Sequence, residues 1–125
     1  WKSCDYQDGL FSKGWAPPHP TFFVRRKVYE KHGVFDLDYE LAADFELMMR
    51  FLGKYKIPSI YTPNVLVNMR LGGATNKNIK NIIKQNLEIC RAGKKNNVQI
   101  SPFSLMFKKS LNRITQFLSK PAKEA

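Results

Sequence analysis

The stretch FDLDYELAADFELMMRFLG, from Phe35 to Gly53, holds five of the ten acidic residues of a chain whose net charge is +11. Asp36, Asp38, Glu40, Asp44 and Glu46 fall within eleven residues that contain no Lys or Arg. At 100° per residue, Leu41, Phe45, Met48 and Leu52 form one apolar stripe, which predicts an amphipathic helix from about Leu41 to Leu52, ended by Gly53. Glu46 and Arg50 are expected on the opposite, wet face as an i, i+4 pair. Asp44 falls about 60° from the stripe's centre, at the edge of the buried side, where an unpaired carboxylate is costly. Two readings of it stay open. It is a first-turn carboxylate that accepts backbone N–H bonds and is favoured by the helix dipole, or it is a general base held on a rigid element at the mouth of a site. Asp36 and Asp38 read as turn residues after Gly33, and Glu40 fits either role.

Outward from this stretch, the composition is that of one globular domain, with 43% hydrophobic and 13% aromatic residues in 125. No apolar run approaches the length of a membrane-spanning helix. Cys4 and Cys90 lack metal-ligand spacing and are too few for a disulfide framework, so a reducing, cytoplasmic compartment is expected. Residues 1–75 carry ten Lys/Arg against eight Asp/Glu, whereas residues 76–125 carry eleven against two. So basic a second half points to an anionic partner or to a solvated face.

Residues 1–20 read as a loop rich in Gly, Pro and aromatics. Thr21–Arg26 (TFFVRR) is β-prone and predicts a short strand, followed by a helix from Arg25 to His32 that Gly33 stops. Lys56–Tyr61 and Val65–Arg70 are two further β-prone runs broken by Pro58 and Pro63. A helix from Asn78 to Gly93 is expected to place Ile79, Ile82, Ile83, Leu87 and Cys90 on one face. Ser101 and Pro102 then start a last helix, whose stripe is Phe103, Phe107, Leu111, Ile114 and Leu118.

The run PPHPTFFVRRKVYEKHGVFDLDYELAADFELMMRFL resembles the acceptor-side half of the family-2 glycosyltransferases, inverting enzymes of the GT-A fold. The shared pattern is an aromatic strand ending in Arg, a helix, Gly-x-Phe-Asp, an Ala-Ala-Asp-Phe helix with an Arg, then short strands and a Leu-Gly-Gly loop, here MRLGGATN. It spans roughly residues 15–76. The fold class implied is α/β, mixed α+β for this part alone. Residues 1–75 would be the acceptor-side part of a GT-A catalytic domain, and residues 76–125 a basic helical extension.

The resemblance implies that Asp44 is the catalytic base. It takes the proton of an acceptor hydroxyl as that oxygen attacks the sugar's anomeric carbon. His19 matches a frequent His before the aromatic strand and is implied at the substrate cleft. Arg70, Gly72 and Gly73 match the loop that closes the site, where an Arg offsets diphosphate charge. The family's nucleotide-binding half and its Asp-x-Asp metal motif are missing from this chain. Asp36-Leu37-Asp38 has that form but lies on the acceptor side, so it reads as a turn. A divalent Mg or Mn ion is therefore expected to be bound mainly by residues outside this chain, which reads as a fragment expected to be inactive alone.

The implied substrates are a nucleotide-sugar donor and a saccharide or lipid-linked acceptor. The basic tail fits an anionic inner-membrane surface, the rest of the enzyme, or a second subunit. Two other classes compete. A basic nucleic-acid-binding module agrees with the charge, but the aromatics lie in the near-neutral half and no reader motif is present. Paired-carboxylate glycoside hydrolysis has carboxylates enough but no cleft in the pattern.

Overall fold

A computed structural model describes residues 3–68, 78–100, 102 and 105. Three α-helices organise them: α1 (Arg26–His32), α2 (Ala43–Met48) and α3 (Ile79–Lys95). Short 3₁₀ turns at Phe11–Lys13 and His19–Thr21 shape the N-terminal loop. Among the described residues there is no strand, so the fold seen is helical with long irregular connections.

The helix predicted over Leu41–Leu52 starts later and changes type. Ala43–Met48 is α-helical and Met49–Lys54 continues as a π-helix, closed by Tyr55 N donating to Arg50 O at 3.0 Å. Gly53 therefore lies inside the helical run instead of ending it. Phe45, Glu46, Leu47, Met48, Met49, Phe51 and Leu52 are all buried. Burial all round beyond its first turn marks a central element and not a surface helix. One side joins Phe11, Tyr39, Ala42, Ile89, Ala92 and Leu105 in the main core cluster. On another side, Phe51 meets the Tyr29 ring of α1 edge-on at 5.5 Å.

Glu46 is not on a wet face. It is 1% exposed, and its carboxylate accepts from Arg50 Nε at 3.1 Å and from Asn96 Nδ2 at 3.0 Å. Helical arithmetic places it opposite the apolar stripe correctly. That opposite side is covered because Asn96, just after α3, and the Gly33 turn close over it. Arg50 extends the lock by donating to His32 O and, at 2.6 Å, to Val34 O. It thereby satisfies the last carbonyl of α1, which the helix leaves unpaired, and a second carbonyl in the turn that follows. Gly33, at φ +84°, supplies the left-handed turn, and a Cβ there would sit 3.1 Å from Arg50 Nη1.

Among the described residues the predicted strands do not form; residues 69–70 of the Val65–Arg70 run lie outside them. Phe22 to Arg25 is extended at both ends, but Phe22 N bonds back to His19 O and Phe23 is 80% exposed. In the second β-prone region, Ile57 N donates to Phe51 O and Tyr61 N to Asp5 Oδ1, so these amides are used outside any ladder. Residues 56–68 stay irregular, with Ile60 and Val65 exposed. Local β-propensity is real in both places, but a strand needs a neighbour to pair with, and none of the described segments provides one.

Helix α3 starts as expected, with Asn78 accepting from Lys80 N at 3.1 Å as its N-cap. It runs past Gly93 to Lys95, and the predicted face is only partly packed: Ile82 and Cys90 are half-buried, Cys90 against the core. Ile79, Ile83 and Leu87 are exposed, while Glu88, Ile89, Ala92 and Gly93 are buried. Small residues decide this face. A Cβ on Gly93 would lie 2.7 Å from Val98 O, so only glycine lets the chain fold back across the helix. The turn that does so passes through Asn96 and Asn97, the latter at φ +57°. Pro102 and Leu105 are helical, and Leu105, which lies off the predicted stripe, is fully buried. The residues of that stripe lie outside the described residues.

Candidate active site

The acidic stretch is received by the basic helix. Going backwards along α3, Lys95 Nζ pairs with Asp36 at 2.6 Å and Arg91 donates to Asp38 O. The Arg91 guanidinium also lies 4.6 Å over the Tyr39 ring. Glu88 Oε2 accepts from Leu41 N at 2.8 Å and from Ala42 N at 2.9 Å. Gln85 Nε2 donates to Leu41 O at 3.3 Å, and Lys84 pairs with Glu40. Residues 36–42 thus run antiparallel to α3, fastened by alternating charge pairs and backbone bonds. Part of the crowding of carboxylates has an internal cause: Asp36 and Glu40 each pair with a lysine of the helix that lies against them.

These pairs shift the carboxyls they hold. Asp36 is below the usual carboxylate range because Lys95 hydrogen-bonds it, helped by the Asp38 amide. Glu40 is lowered chiefly by its hydrogen bond from Lys84. Asp38 N donates to Asp36 Oδ1 at 3.1 Å, a side-chain turn of the kind expected for Asp-Leu-Asp. With Asp36 so engaged, this triplet offers no metal set. Among the described residues no group of three or more His, Cys, Asp or Glu is placed to hold an ion.

Asp44 is different. It occupies the first turn of α2, where the dipole favours a negative charge, and Oδ1 accepts from Phe45 N at 2.8 Å. Its other oxygen, Oδ2, lies 3.3 Å from His19 Nδ1. The side chains are 39% and 60% exposed respectively, so the pair faces solvent while its backbone is fixed by the core. His19 is delivered by the 3₁₀ turn His19–Thr21, held by Thr21 Oγ1 and Thr21 N on Pro18 O. Two residues that the sequence marked separately, 25 positions apart, meet here.

Comparison of the chain with protein families, curated proteins and solved structures finds no match to any of the three.

The remaining marked residues, Arg70, Gly72 and Gly73, lie outside the described residues. Two shallow hollows of about 290 and 330 Å³ share Tyr6 and Lys56 and include neither Asp44 nor His19. The Asp44–His19 pair is therefore an open surface site in the described chain. Cys4 and Cys90 are free thiols. No helix among the described residues is long and apolar enough to cross a membrane.

Sequence reasoning missed Glu88 and Asn96. A signal existed. Glu88 is the lone acid in α3 among Lys80, Lys84, Arg91, Lys94 and Lys95. It shares a helical face with Gln85, Ala92 and Asn96, at spacings of 3, 4 and 4. Polar and small residues on one face fit contact with backbone better than contact with a hydrophobic partner.

Proposed function

We propose that this chain is the acceptor-side part of an inverting family-2 glycosyltransferase of the GT-A type. Such an enzyme moves a sugar from a nucleotide donor to a hydroxyl of a saccharide or lipid-linked acceptor. The observation that carries the reading is the Asp44–His19 pair. The carboxylate that the resemblance marks as the base has one oxygen tied to the backbone and the other directed to the one histidine that the resemblance marks at the cleft.

In this mechanism Asp44 accepts the proton of the acceptor hydroxyl. The hydroxyl oxygen bonds to the anomeric carbon as the bond to the nucleoside diphosphate breaks, and the diphosphate leaves with the electron pair. A neutral hydroxyl is a weak nucleophile, so a fixed base within hydrogen-bond reach supplies what the displacement lacks. His19 orients Asp44 and lines the acceptor side. Arg70, with Gly72 and Gly73, belongs to the loop that would approach the diphosphate. The resemblance assigns the divalent ion and the nucleotide to residues outside this chain, and no step above passes through either.

The nucleic-acid reading loses ground on a specific point. Lys84, Arg91 and Lys95 are directed at the chain's own acidic stretch, which reduces the charge available to a phosphate backbone. Product stereochemistry tests the proposal. The natural polypeptide carrying these residues, given α-linked UDP- or GDP-sugars and polyprenol-linked saccharides, is expected to form a β-glycoside, seen in the anomeric proton coupling. An α-linked product would overturn it.

A further inference from the structure

Asp44 sits two residues beyond a helix start that has no capping side chain of its own, because Ala42 is the N-cap residue. The approach to the helix is held instead from 46 residues away. Glu88 Oε2 alone accepts both Leu41 N and Ala42 N, at 2.8 and 2.9 Å, and Glu88 is buried among the core residues of α3. Gln85 completes the clasp on Leu41 O. Ala42 O in turn accepts the first helical bond, from Glu46 N at 2.8 Å. A shift of the Leu41-Ala42 peptide units therefore carries Asp44 with it, and Asp44 Oδ1 is itself tied to the next amide, Phe45 N.

We infer that Glu88 is the positioning residue for Asp44: a buried carboxylate on α3 that fixes where the α2 start presents its exposed carboxylate to His19. This rests on Asp44 being the base. The bonds are charge-assisted, the strong class, and removing their acceptor leaves the buried Ala42 N–H and the half-buried Leu41 N–H unpaired. Both go to one oxygen, so a glutamine in the same rotamer can replace it, whereas methionine cannot.

Two measurements test the inference separately from the base assignment. In the 125-residue protein, E88M is expected to lose at least about tenfold of the amide-exchange protection at Leu41, Ala42 and Phe45, with the amides of Ile89 and Gly93 unchanged. E88Q is expected to restore that protection. Unchanged protection at those three amides in E88M overturns the positioning role whatever Asp44 does. Glu88→Asp is the second variant should E88M not fold. It keeps the charge but withdraws the oxygens by about 1.5 Å, and wild-type protection there would also overturn the claim.

In the natural polypeptide, E88M is expected to lower kcat about 10–100-fold with KM little changed, since misplacing a reacting group by about 1 Å costs that order. Combined with D44N it should add almost nothing, because a residue acting through Asp44 has no further effect once the base is gone. Independent, multiplying losses would refute positioning. Near wild-type turnover in D44N alone would instead remove the base assignment.

Discussion

Arg50→Met is the perturbation most tightly constrained by the structure. Glu46 is 1% exposed and, among the described residues, keeps Asn96 as its side-chain hydrogen-bond partner when the guanidinium goes. Breaking one side of a buried ion pair leaves an uncompensated charge, typically costing about 3–5 kcal/mol. Arg50 also bonds two main-chain oxygens, His32 O and Val34 O, each worth roughly 0.5–1.5 kcal/mol net. Partial solvent relief at the Gly33 turn offsets some of this, so about 4 kcal/mol is expected overall. With a urea m-value near 2 kcal/mol/M, the midpoint should fall by about 2 M. Equilibrium urea unfolding followed by tryptophan fluorescence measures it. The companion variant E46M/R50M removes both charges and fills the space with apolar chains, and should recover more than half of the loss. A midpoint for R50M within about 0.5 M of wild type, or a double variant less stable than R50M, would refute the buried lock.

Two further outcomes follow from the same geometry. Gly93→Ala places a Cβ against Val98 O, a backbone atom with little freedom to move, so a loss of about 1–3 kcal/mol is expected in thermal unfolding. An unchanged Tm would mean that the chain does not close over α3 there. For Asp36, whose folded pKa is depressed by Lys95, the pair's stabilisation is fully present above the unfolded value of about 3.9 and is lost as pH falls through the lower folded value. The stability gap between wild type and D36N, measured by denaturant titration from pH 7 downwards, should therefore stay constant to about pH 5 and close below pH 4. A gap that widens in acid would contradict the sign of the shift.

The helices were legible where periodicity or a cap announced them. The helix expected over Arg25–His32 and stopped by Gly33, and the start of the helix expected from Asn78, came through to within a residue because their signals are local. The burial of Glu46 was not legible. The helical wheel locates it opposite the stripe, but nothing local says that Asn96, 50 residues on, covers that side. The same holds for α3, where counting apolar residues selected Ile79, Ile83 and Leu87, while the packed face is set by Gly93 and by the hydrogen bonds of Glu88. Strand propensity at Thr21–Arg26 and Lys56–Tyr61 was read as short strands and neither run is one, because pairing depends on a partner strand that those residues do not encode. Asp44 stood out because its position on the wheel had no packing reason. His19 was marked only through the resemblance, and its contact with Asp44 could not have been read from spacing.

The central claim is that Asp44 is a base and not merely a first-turn carboxylate. The most direct measurement is sugar transfer by D44N in the natural polypeptide, with donor binding and thermal unfolding followed in parallel. As a base, Asp44 predicts a transfer rate lower by about 10²–10⁴-fold with donor affinity retained. Loss of its favourable place near the helix N-terminus should cost only about 0.3–1 kcal/mol of stability, too little to explain such a fall. Near wild-type transfer in a folded D44N protein would contradict the account.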